Sequence, residues 1–254
     1  MSDEVLVERR GGVQVITINR PEAKNALNKG VADAVAAAVD ELDEDSDLRV
    51  GVITGAGGTF SSGMDLKAFL TGELPTVEGR GLCGITETPP RKPLIAAVEG
   101  WALAGGFEVV LACDLVVASE KAKFGVPEVK RSLVAAGGAA FLLARRIPQA
   151  LALEMLLTGD PMSAQRAAEV GLVNRIAPEG GALDAAVELA EAIAANGPLA
   201  VAATKQIARS TFDWTIADGW KRQSEIGLPV FGSEDAREGA TAFAEKRPPV
   251  WKGK

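Results

Sequence analysis

The chain has 254 residues, enough for one large domain or for a core with an appended helical part. Hydrophobic residues make up 47% and charged residues 24%, an ordinary globular composition, and the net charge of −7 argues against nucleic acid or anionic lipid as a partner. There is no histidine and no tyrosine, which excludes a Ser-His-Asp or Cys-His mechanism, histidine-ligated zinc and a tyrosine acid.

Acid-base chemistry therefore falls to Asp, Glu, Lys and the thiols. The two cysteines, Cys83 and Cys113, give neither a metal spacing nor a disulfide framework, which suits a reducing interior. The opening MSDEVLVERRGG lacks a basic n-region and an apolar h-region, and no uninterrupted apolar run reaches the roughly 20 residues of a membrane span. A cytoplasmic location without membrane association is expected.

In chain order, residues 5–9 and 13–19 read as strands, and Gly11-Gly12 between them predicts a hairpin. A Pro- and Asn-punctuated loop follows, and Asn28 is placed to cap a helix over residues 29–42. Val31, Val35, Val39 and Leu42 recur along that helix at helical spacing. Residues 50–54 form a buried strand. The glycine-rich run Gly55 to Lys67 is no P-loop, since no Gly-Lys-Ser/Thr ends it. Ser61 and Ser62 have no histidine to activate them. Asp65 reads as a helix start. Residues 71–92 lose periodicity and read as a functional or mobile loop.

The stretch PLIAAVEGWALAGGFEVVLACDLVVAS, from Pro93, organises the chain. Residues 94–98 and 115–118 are buried strands and residues 107–113 a buried helix. Glu108 is the one acid between Phe107 and Val109-Val110-Leu111, and such burial needs a partner or a function. Gly105-Gly106 falls at the helix start, where free amides carry the positive end of the dipole. The glycines serve either a ligand oxygen or close packing; the stretch alone leaves both open.

Beyond it, Glu128 follows Pro127, an ordinary place for an acid. Helices are predicted over residues 139–146, 149–157 and 164–170, the last capped by Ser163 and stopped by Gly171, with a strand over 172–176. From residue 182 the chain reads helical throughout: 182–195, 198–209, 213–226 and 234–245.

Together these residues resemble the enoyl-CoA hydratase/isomerase family, also called the crotonase family, over residues 5–246. The carriers are Asn19-Arg20-Pro21 with Asn25-Ala26-Leu27, and Phe60-Ser61-Ser62-Gly63-Met64-Asp65-Leu66. Gly100-Trp101-Ala102-Leu103-Ala104-Gly105-Gly106-Phe107-Glu108 comes next and continues to Cys113-Asp114. Phe124-Gly125-Val126-Pro127-Glu128 and Ala242-Phe243-Ala244-Glu245-Lys246-Arg247 complete the order.

The resemblance implies an α/β fold, a crotonase-like spiral of ββα repeats with a C-terminal helical trimerisation region. Residues 1–180 would form the core with the site, and 181–254 the oligomerisation region of a homotrimer or dimer of trimers. It implies an acyl-CoA thioester substrate, no metal and no separate cofactor, since coenzyme A is part of the substrate. The amides of Met64 and Gly105 would form an oxyanion hole. Ala23, Lys24, Met64, Asp65, Leu66 and Lys67 would line the CoA channel, with Phe243 and Lys246 near the adenine end. Glu108 and Glu128 match the two catalytic glutamates of the hydratase members.

The implied activity is hydration of a 2-enoyl-CoA to a 3-hydroxyacyl-CoA. The alternatives are an isomerase, a specialised dehydratase such as one for carnitinyl-CoA, or a silent acyl-CoA-binding paralogue. Two departures stand out. Ala104 replaces the first glycine of a Gly-Gly-Gly run, with little harm expected because Gly105 is the donor. The segment after Glu128 reads Arg131-Ser132-Leu133-Val134-Ala135-Ala136-Gly137-Gly138 instead of a Pro-Gly-rich turn.

Overall fold

In the computed structural model, residues 3–254 are described. Strands Val5–Arg10 and Val13–Ile18 form the predicted antiparallel hairpin. The second of these pairs in parallel with Val50–Gly55, and Leu94–Val98, Leu115–Ser119 and Arg175–Ala177 follow in parallel to complete a six-stranded sheet.

Alternation along the strands sends residues to two cores. Val13, Val15, Val50, Val52, Ile95, Ala97 and Val117 pack on Ala186, Val187 and Ala190 of the helix Ala182–Ala194. Ile16, Ile18, Ile53, Ala96, Val98 and Val116 point the other way. They meet Val31, Val35 and Val39 of the helix Lys29–Glu44 and Phe107, Val110 and Leu111 of the helix Gly105–Ala112. A sheet covered on both faces explains strands that read as unbroken apolar runs. Asn28 caps the Lys29–Glu44 helix by accepting from Val31 N, and Ser163 caps Ala164–Glu169 by accepting from Arg166 N.

A second, smaller layer was not legible in the sequence. Trp101–Leu103 pairs in parallel with Lys123–Gly125, which pairs antiparallel with Met162–Ser163. Ser61 joins Ala102 by an isolated parallel bridge, and Leu27 joins Met64 by another. Segments of two or three residues carry no period to read. The expected loop at 71–92 holds a small hairpin, Thr76–Val77 with Gly81–Leu82. The strand expected at 172–176 lies at Arg175–Ala177, and the helix expected at 213–226 runs Ile216–Phe231, with Pro229 in its last turn.

Helices Pro198–Ser210, Ile216–Phe231 and Glu234–Glu245 end the chain. Trp251 ties them back, donating from its indole to Ala195 O and packing beside Gly197 and Gly239. Among the described residues no single helix is long and apolar enough to cross a membrane. Cys83 and Cys113 are free and buried, and burial pushes both thiols up to about 12.

Asp114 ties the large sheet to the C-terminal helices. Its carboxylate accepts from Leu94 N at 2.8 Å and pairs with Lys205 at 2.7 Å and Arg209 at 2.8 Å. One acid thus fixes a strand start and the Pro198–Ser210 helix. Asp114→Ala takes the carboxylate from two cations and an amide, leaving the cations only the carbonyls of Lys92 and Ala112. It is expected to cost about 3–5 kcal/mol, read as a lower urea midpoint at unchanged slope.

Candidate active site

The small layer brings the candidate residues together. Ser61 N donates to Trp101 O and Leu103 N to Ser61 O, both at 3.0 Å, and Ala104 N donates to Gly125 O at 2.9 Å. Three short segments therefore run in parallel. Each continues at its carboxyl end into a singled-out residue: Met64 after Ser61, Gly105 and Glu108 after Leu103, Glu128 after Gly125. Ligand groups gather at such carboxyl ends in α/β folds.

Met64 and Gly105 present free amides side by side. A β-carbon placed on Gly105 would lie 3.6 Å from Met64 N, and one on Gly63 only 3.3 Å from Gly105 N. Among the described residues neither amide donates to a backbone or side-chain group. Gly106 answers the question the sequence left open. A β-carbon there would lie 2.7 Å from Ser61 Cβ and 2.8 Å from Ser61 O. Gly106 is thus a packing glycine, while its neighbour Gly105 keeps an amide open.

Two buried polar residues shape this corner, and sequence reading gave them no role. Asn25 donates to Ala56 O at 2.8 Å and Thr59 O at 2.7 Å, and accepts from Arg20 N at 2.9 Å. Ser61 donates its hydroxyl to Asn25 O at 2.8 Å and accepts from Gly63 N at 3.1 Å. The hydroxyl is consumed in holding the turn that aims Met64.

Glu108 is 4% exposed. Its Oε1 accepts from Ala139 N at 3.1 Å. Burial raises its carboxyl above the ordinary carboxylate range, and the backbone amides of Ala139, Gly137 and Gly138 offset part of that rise. Glu128 sits in the turn Pro127–Arg131. Burial raises its carboxyl too; its own amide pulls it down, the charge of Glu108 pushes it further up, and Arg131 opposes that. Its Oε2 is buried without a hydrogen-bond partner. Two acids that feel each other, one held by amides and one left open, can divide the roles of base and acid.

Residues 8–254 match the sequence profile described as Enoyl-CoA hydratase/isomerase. The chain belongs to the enoyl-CoA hydratase/isomerase family. It is 45% identical to enoyl-CoA hydratase EchA19 of Mycobacterium tuberculosis, over 97% of this chain and 95% of that protein. It is 41% identical to carnitinyl-CoA dehydratase of Salmonella enteritidis, over 100% of both. The crystal structure of enoyl-CoA hydratase EchA1 from Mycobacterium marinum superposes with a TM-score of 0.98 at 58% identity, over 100% of both chains. The crotonase fold expected from the sequence is the fold found.

The remaining candidates divide in two. Ala23 and Lys24 lie beside the Met64 segment, because Ser62 N donates to Lys24 O at 3.0 Å and Asp65 N to Leu27 O at 2.8 Å. Asp65 caps the short helix Leu66–Leu70 and pairs with Arg20 at 3.0 Å, while Leu66 and Lys67 are exposed. Phe243 and Lys246 sit exposed at the end of the last helix. Among the described residues no hydrogen bond or ion pair joins them to this cluster. Leu82 was missed: its Cδ2 lies 3.3 Å from the β-carbon position of Gly105 and 3.0 Å from that of Gly137. Nothing in a two-residue strand inside an aperiodic stretch signals such a wall.

Ala104, at the position where the resemblance implies glycine, sits at a structural cost. Its φ of 49° and ψ of −128° belong to a region that suits glycine. Ala104→Gly is expected to stabilise the protein by about 1 kcal/mol, since strain of this kind exceeds the added freedom of the unfolded chain. A thermal melt reads this as a higher midpoint.

Proposed function

We propose that the chain is a 2-enoyl-CoA hydratase that also runs the reverse dehydration of a 3-hydroxyacyl-CoA. One observation carries the reading: two free amides, Met64 and Gly105, and two acids, Glu108 and Glu128, follow the carboxyl ends of three segments paired in parallel. Adding water to a 2-enoyl thioester puts negative charge on the thioester oxygen. Fixed donors there each contribute about 3–4 kcal/mol to the transition state. Glu108, held by amides, takes the proton from water. Glu128, with its unpartnered buried oxygen, delivers a proton to Cα. The identity to a carnitinyl-CoA dehydratase keeps a specialised dehydratase as the second reading. A coupled assay across crotonyl-CoA, longer 2-enoyl-CoAs and carnitinyl-CoA separates the two; binding without turnover across the panel overturns both.

Glu108→Gln and Glu128→Gln are each expected to lower kcat by at least about 100-fold with KM changed far less. Near-parental turnover in either variant removes that residue from the mechanism. The base works only when ionised, so the rate falls as pH drops through its pKa. The acid works only when protonated, so the rate falls again as pH rises through its own. Both carboxyls are raised. Both limbs of the kcat/KM profile are therefore expected above the ordinary glutamate value of about 4.3.

Coenzyme A carries several negative charges, and a chain of net charge −7 must gather cations locally. We assign this to Lys24 and Lys67, with Phe243 and Lys246 reaching the adenine end from the same or a neighbouring subunit. The Lys24→Ala, Lys67→Ala double variant is expected to raise KM and leave kcat nearly intact. The loss is expected on the CoA thioester and not on its pantetheine analogue; an equal loss on both sinks this placement.

The same reading includes a trimer or a pair of trimers. Phe212, Ile216, Trp220, Leu228, Phe231 and Phe243 are exposed on the C-terminal segment, large apolar side chains that a second chain could cover. The oligomerising part would begin after the Ala182–Ala194 helix, which is committed to the sheet. Light scattering is expected to give a multiple of three chains; a stable monomer at micromolar concentration counts against it.

A further inference from the structure

We propose that Gly137 is a positioning residue for Glu108: its bare α-carbon leaves the space that the carboxylate occupies, and the amide of Ala139, two residues on, binds that carboxylate. The inference rests on the proposed role of Glu108 as the base.

The helix Ala139–Arg146 begins at Gly138, and no side chain of its own N-terminus caps it. Glu108, from a different helix 31 residues away, supplies the cap by accepting from Ala139 N. The backbone of Gly137 and Gly138 also draws its pKa downward. The acid is thereby held from one side by donors. The other constraint is steric. A β-carbon on Gly137 would lie 2.5 Å from Glu108 Oε2 and 2.9 Å from its Cδ. It would also lie 3.0 Å from Leu82 Cδ2, the far end of a flexible side chain that can give way.

The backbone does not require glycine at this position. Gly138 has a φ of 121°, but Gly137 is not among the positive-φ residues. Alanine therefore fits the Gly137 backbone and fails only for lack of room. Adding one methyl group tests the space alone, and the atom it displaces is a carboxylate oxygen. Forced away from its amides, Glu108 loses both its aim and part of the field that keeps it ionised.

The test is Gly137→Ala, alone and combined with Glu108→Gln. Alone, it is expected to lower kcat on a 2-enoyl-CoA by about 100-fold or more with KM within about threefold, and to move the acid limb of the pH profile upward. In the Glu108→Gln background it is expected to add less than about a twofold further loss, because the group it acts through is already gone. A parental kcat and pH profile overturns the proposal, as does a full further loss in the Glu108→Gln background, which marks a structural role.

A second readout does not depend on turnover. Protein labelled with carbon-13 at the glutamate carboxyls gives the Glu108 titration, identified by its disappearance in Glu108→Gln. Gly137→Ala is expected to shift that titration to higher pH, and an unmoved titration overturns the proposal. Should the parent chain fail to hydrate any 2-enoyl-CoA, the proposed activity falls while this titration still decides the positioning. Should Gly137→Ala not fold, the titration is run on Leu82→Ala, Gly137→Ala against Leu82→Ala, where the neighbouring side chain has been cut back.

Discussion

The parallel run of three short segments is the constraint on which the site depends. Ser61, Ala102 and Phe124 lie in one row, and the backbone bonds between them fix the register. Every chain leaves that row in the same direction. Met64, Gly105, Glu108 and Glu128 therefore emerge at one edge although they come from three distant parts of the sequence. A slip of one residue would turn each segment over and scatter the group. The glycines make this register possible: at Gly63 and Gly106 a side chain would collide with the neighbouring segment at under 3 Å.

Electrostatics then differentiates two residues of the same type. Glu108 and Glu128 are both raised by burial, and the charge of one raises the other. What separates them is hydrogen bonding. Glu108 meets an amide at the start of a helix, while Glu128 has only its own amide and keeps one buried oxygen without a hydrogen-bond donor. A carboxylate with more donors is the better anion, and one with fewer keeps its proton more readily.

Much of this was legible in the residues, and the limits were physical. Long elements with caps were read correctly, as with Asn28 before its helix and the helix Glu234–Glu245, because period and end chemistry both speak there. The small layer was silent, since Trp101–Leu103 and Lys123–Gly125 are too short for a pattern. Glu108 announced itself as a charge among apolar neighbours. Its amide partners could not, because they lie far along the chain and act through backbone atoms that any sequence shares. Glu128 gave no signal of its own, and only the family resemblance singled it out. Met64 and Gly105 are of interest for their amides, which make no hydrogen bond among the described residues, so their side-chain identities say little.

The buried thiols carry a consequence for chemistry done on the protein. With both cysteines at about 12, the reactive thiolate fraction at neutral pH is on the order of one in 100,000. Neither sulfur reaches solvent, and Cys113 already donates to Val109 O. The folded chain is therefore a silent background to alkylating dyes and mild oxidants. A single cysteine introduced on an exposed face would be the one site to take a fluorophore or a spin label, with no need to remove the native pair first.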